Sequence, residues 1–167
     1  MLFRMTDDVD VVYMATLNSA GIPFGKIERP GDWHLRVMAL PANEAETIYD
    51  LDFRSGRALF FETRFTSSVW LAVNQALRKK GVVQPIDSVR RCCELPTAHP
   101  LLSLVEDEAV FRLRSLECNH LDVTHYVVIQ NLAGQVAQFD AWEFNLDASW
   151  ERLLGLIKKT TPLLPRP

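Results

Sequence analysis

The densest set of chemically useful side chains is Cys118-Asn-His120-Leu-Asp122-Val-Thr-His125. On an extended chain, residues 118, 120 and 122 share one face, because strand side chains alternate with period two. That sets a thiol, an imidazole and a carboxylate side by side, with His125 just beyond. These are Zn²⁺ ligand types, and a metal-activated water among them would perform hydrolysis. The spacing matches no standard zinc signature, and Cys92 and Cys93 lack a CxxC partner. Cys118, His120 and His125 therefore stand as weak metal candidates, and no metal or cofactor is expected. The same stretch offers a cysteine–histidine nucleophile pair. Cys118, His120, Asp122 and His125 are the catalytic candidates, against the plainer reading of a polar loop between strands.

Asp52, Glu62 and Arg64, ahead of a predicted helix, resemble the acidic–(D/E)xK order of metal-dependent nucleases. Arg64 stands in the lysine's place and is a poor proton-transfer group. Glu62 and Arg64 also read as an exposed strand face, and His34 as a sheet-surface residue. No Walker loop, GxGxxG, GxSxG or HExxH occurs.

Two features suggest contacts instead of catalysis. Glu106-Asp107-Glu108 is a small acidic cluster, read first as a solvated turn and second as a contact for a basic partner. In the strand VAQFDAWEF, Phe139 and Ala141 take one face, and Trp142 and Phe144 take the other with Asp140. Large apolar groups on both faces point to a helix on one side and a partner on the other. Trp142, Glu106, Asp107 and Glu108 are the partner-binding candidates.

The elements that position these residues follow from periodicity. Val9 to Leu17 alternate as a strand, and Asn18-Ser-Ala-Gly21 turns it into a return strand over 22–28. Trp33, Leu35, Val37 and Ala39 alternate as another strand. Pro41 opens a short helix to about Tyr49. Ser55-Gly56 marks a turn before a strand through Phe65. Thr66, Ser67 or Ser68 caps a helix with a Val69, Val73, Ala76 and Leu77 stripe, ended by Gly81. Residues 82–107 read as an irregular or short-helical connection, with SVRRCCEL and LLSLVED as short helices. Phe111 and Leu113 lie on a strand. Residues 124–130 and 136–144 form a hairpin. Asp147 caps a final helix carrying Trp150, Leu153, Leu154 and Ile157 at i, i+3, i+4, i+7. Tyr13–Gly21 (YMATLNSAG) and Tyr126–Gly134 (YVVIQNLAG) share Tyr, Asn, Ala and Gly at equal spacing. Both read as a strand entering a β-turn, since Asn and Gly tolerate positive φ.

Ala15–Pro23 (ATLNSAGIP) resembles the first hairpin of flavin-binding split-barrel proteins. The resemblance implies a barrel that holds FMN at a dimer interface. The basic and hydroxyl residues that family uses for the phosphate have no counterpart in the following strands.

The 167 residues are 48% hydrophobic and 23% charged, the composition of a folded domain. A single domain spanning 1–167 is expected. Net charge is −3, without the basic footprint of a nucleic-acid binder. No apolar run approaches a membrane span, and no leader is expected. Three cysteines without secretory context suit reduced thiols and a cytoplasmic location.

The expected fold is α+β, a largely antiparallel sheet of hairpins with two main amphipathic helices on one face. The preferred function is non-enzymatic: recognition of a protein partner or self-association, immunity-protein or chaperone-like in general character, with a homodimer as one form. A small metal-assisted hydrolase centred on residues 118–125 is the alternative. A flavin or small-ligand module is the third reading.

Overall fold

Strand β1 (Trp33–Leu40) is buried on both faces. Trp33, Leu35 and Val37 point to one side and His34, Arg36 and Met38 to the other, none more than 3% exposed. Such a strand needs a helical layer above and below its sheet. A computed structural model describes residues 7–23, 29–107, 113–115, 123–132 and 135–165 and has that arrangement.

The sheet adds β2 (Thr47–Arg54), β3 (Arg57–Phe65), β4 (Ser88–Leu95), β5 (His125–Leu132) and β6 (Gln135–Trp142). Its order is β4-β3-β2-β1-β5-β6, with every neighbouring pair antiparallel. Ser55 and Gly56 join β2 to β3 at φ 52° and 77°, as a two-residue hairpin turn requires. Helices α1 (Asp7–Ala20) and α2 (Val69–Arg78) set Tyr13, Leu17, Val69 and Val73 against Met38, Ile48 and Val127. On the opposite face, α3 (Pro100–Glu106) and α4 (Ala148–Thr160) set Leu101, Trp150 and Leu153 against Leu35, Leu51 and Val128. Among the described residues no helix is long and apolar enough to cross a membrane.

The α+β class and the antiparallel hairpin sheet are as expected. The placement of both amphipathic helices on one face is corrected: α2 and α4 lie on opposite faces. Their predicted caps hold. Ser68 accepts from Leu71 N at the start of α2, and Asp147 accepts from Ser149 N and Trp150 N at the start of α4. At the end of α2, Lys80 rather than Gly81 takes the positive φ, and Gly81 N donates to Ala76 O.

Three element assignments change. Val9–Leu17 is helical, because Tyr13 and Leu17 are buried while Val11, Ala15 and Ser19 face out, a four-residue spacing. The predicted helix from Pro41 is a loop leading into β2, where pairing on both sides outweighs the Pro41 start signal. SVRRCCEL is β4, held by full-length pairing with β3. LLSLVED does contain α3. The two Tyr…Asn-x-Ala-Gly stretches therefore diverge, the first in α1 and the second in β5. Residues 24–28, 111, 112, 133 and 134, where a return strand, part of a strand and a turn were expected, lie outside the described residues.

Leu153 is 1% exposed, whereas Leu154 is only partly buried. Leu153→Ala should cost about 2–5 kcal/mol in urea unfolding, and Leu154→Ala clearly less. Equal costs would contradict this orientation of α4.

Candidate functional site

The face of the sheet under α1 carries a charged network. Register sets Arg36 on β1 opposite Asp50 on β2, and His34 opposite Asp52. Arg36 Nε donates to Asp50 Oδ1 at 2.7 Å, and His34 Nε2 lies 2.9 Å from the same oxygen. A carboxylate only accepts, so Nε2 carries the donated proton. His34 Nδ1 is 4.0 Å from Asp52 Oδ1. His34, Arg36 and Asp50 are all fully buried.

The network also grips the chain where it leaves α1. Arg36 Nη1 donates to Asn18 Oδ1 at 2.8 Å and to Asn18 O at 3.3 Å, and Nη2 donates to Ile22 O. Asp50 Oδ2 accepts from Ile22 N at 3.0 Å. A cation at a helix C-terminus suits the helix dipole. The guanidinium runs so close past Gly21 that a Cβ there would overlap it. Burial alone would raise the Asp50 pKa. The His34 hydrogen bond, the Arg36 charge and hydrogen bond, and Ile22 N–H outweigh it and hold the carboxyl below its usual range.

Two other buried carboxylates are likewise engaged. Glu46 accepts from Val69 N at 2.7 Å, Trp70 N at 2.9 Å and Tyr13 Oη at 3.0 Å, tying α1 to the start of α2. Burial first, then the Glu46 charge, pushes the Tyr13 pKa well above the ordinary tyrosine range. On the α4 side, Glu62 accepts from Arg64 Nη2 at 2.9 Å and from Arg91 Nε at 2.9 Å. Glu62 and His34 are thus buried, not exposed strand residues as expected. Asp52 and Glu62 sit on opposite faces of the sheet, so the nuclease-like arrangement is not assembled.

Cys118, His120, Asp122 and Glu108 lie outside the described residues. His125 opens β5 and stacks on its register partner Trp142, with ring centroids 4.6 Å apart and planes 7° apart. Its Nε2 is 3.0 Å from Asp140 Oδ1. Glu106 and Asp107 are exposed at the end of α3, on the other face from this stack. Burial raises the pKa of Cys92 and of Cys93, which disfavours thiolate chemistry there. Ala15–Pro23 runs from α1 into the loop after it, so the hairpin that resembled the flavin family is absent. Among the described residues no group of three or more His, Cys, Asp or Glu could hold a metal ion.

The residues missed in the sequence are Arg36, Asp50, Glu46 and Asp140. The available signal was His34-x-Arg36 facing Asp50-x-Asp52 across two adjacent strands. It reads as buried only once α1 is known to cover that face.

The network is structural by geometry: its buried oxygens and nitrogens hold backbone and one another. Asp50→Ala, which leaves Arg36 buried without its carboxylate, should cost about 3–5 kcal/mol in urea unfolding. Asp50 is depressed in the folded state, so its contribution is full above the unfolded value of about 3.9. It is lost as pH falls through the lower folded value. The stability gap between wild type and Asp50→Asn should therefore be flat above that unfolded value and narrow in acid. A gap that widened in acid would reverse the sign. No family model matches the chain, and neither does any curated protein or solved structure.

Proposed function

We propose that this chain is a non-enzymatic binding protein that recognises a macromolecular partner, immunity-protein or chaperone-like in general character. The observation that carries this reading is the half-open His125–Trp142 stack at the end of edge strand β6. The His125 and Asp140 side chains are 31% and 29% exposed, and Trp142 is partly buried. Phe144, just beyond, is 54% exposed. A rigid indole already held by an imidazole loses little freedom on docking, which is why tryptophan recurs among interface anchors. The buried carboxylates elsewhere are occupied by backbone N–H groups, arginines, a tyrosine and a histidine, which leaves them poorly placed for turnover.

The metal-assisted hydrolase reading retains one contact, the 3.0 Å pair of His125 and Asp140. An imidazole next to a carboxylate can orient a metal or a proton. This pair already has a plainer role, since it fixes the ring that Trp142 stacks upon.

The test is affinity capture from the native cell extract with wild type and Trp142→Ala, whose melting temperatures are compared first. The expected result is one stoichiometric partner held by wild type and lost, at about tenfold or more, by the variant. Equal capture by both would remove Trp142 from the interface. Stoichiometric Zn²⁺ in the purified protein, lost in His125→Ala, would favour the hydrolase.

A further inference from the structure

The sheet ends in two strands of different character. β4 carries Arg90, Arg91 and Glu94 among its eight residues. Arg91 folds back onto Glu62, and Arg90 reaches Thr63 and the carbonyl of Ala20. Charges of this kind keep a sheet edge from pairing with other chains. β6 has no such guard over Gln135–Phe139, the sequence QVAQF, which holds neither charge nor proline. Val136 is 65% exposed, and Gln135 and Gln138 are exposed.

The hydrogen bonds fix which backbone groups of β6 face outward. Glu143 N donates inward, to Thr124 O just before β5. Asp140 N donates away from β5, to Ser115 Oγ at 3.2 Å, and Trp142 N donates to Asn145 Oδ1 at 3.0 Å. Strand groups alternate in direction, so Val136 and Gln138 also point outward. Among the described residues, the outer edge is closed at Asp140 and Trp142 and open at Val136 and Gln138.

We propose that this edge pairs with the same edge of a second copy, about a two-fold axis at Ala137. The choice of occupant follows from the open groups. In an antiparallel pair, residues that exchange both backbone bonds must both face the partner. A two-fold at Ala137 sets Val136 of each copy opposite Gln138 of the other, so every open donor meets an open carbonyl. A two-fold at Gln138 would set Val136 against Asp140, whose donor Ser115 already takes. At Ala137 the two copies approach most closely, about 4.5 Å between Cα atoms in such a pair, and alanine is small enough to permit it. The uncharged segment meets itself without like-charge contact, and the exposed Val136 side chain is covered. The result is an isologous dimer with one continuous sheet.

The inference does not rest on the partner reading above, and Trp142→Ala should leave the dimer intact. The test is sedimentation velocity on the full chain over a range of concentrations. Wild type should sediment as a dimer. Gln138→Pro removes a donor that β5 does not use and should give a monomer. Val136→Lys, at an exposed side chain, should do the same. Circular dichroism checks that each variant folds. Ala137→Cys, with Cys92, Cys93 and Cys118 changed to serine, should yield a covalent dimer under mild oxidation. A wild-type monomer at every concentration would overturn the proposal, even if the edge then bound an extended peptide. So would a dimer that both Gln138→Pro and Val136→Lys leave unchanged.

Discussion

The α1 side of the sheet is organised around one buried ion pair, Arg36–Asp50. Taking both charges out of water is costly, and their mutual attraction offsets it only when the surrounding hydrogen bonds are complete. Here Nε, Nη1 and Nη2 of Arg36 all donate, and both oxygens of Asp50 accept. The groups that complete the pair are Asn18 and both backbone groups of Ile22, at the exit from α1. Satisfying the charges and positioning the helix are thus one event. Glu46 repeats the device farther along α1, where Tyr13 meets the start of α2. Arg36, Asp50 and Glu46, which carry no motif in the sequence, fasten the helices to the sheet.

That arrangement explains what the sequence made legible. β1, β3, α2, α4 and the β5–β6 hairpin follow from a single clear period with a cap or turn at the end. In α1, Val9, Tyr13 and Leu17 satisfy a strand alternation and a helix stripe alike, and the valines favour the wrong choice. The burial of Tyr13 and Leu17 against the sheet decides it, and that is tertiary information. β4 misled for the opposite reason. Asp87 and Pro96 bracket SVRRCCEL like a helix, while its pairing with β3 is invisible in a local window. A strand in place of α1 leaves one face of β1 without cover, so His34 reads as a surface residue. Of the candidate site, His125 and Trp142 were named from the sequence, but their contact depends on strand register, which a hairpin with an unknown turn length leaves open.

Helices cover the central strands on both faces, and the two rims of the sheet differ in character. The β4 rim is charged and folded back on the body of the protein. The β6 rim is uncharged over its first half and ends in the His125–Trp142 stack. Outward backbone groups and a half-buried aromatic stack therefore lie along the same strand, at the rim away from the charged one.

The Arg36–Asp50 pair fastens α1 to the sheet through Asn18 and Ile22. Amide hydrogen exchange on Arg36→Met against wild type tests it most directly. Protection should fall sharply across Asp7–Ala20, while α4 and the β5–β6 hairpin keep theirs. Unchanged protection in α1, or equal loss across the whole chain, would contradict it.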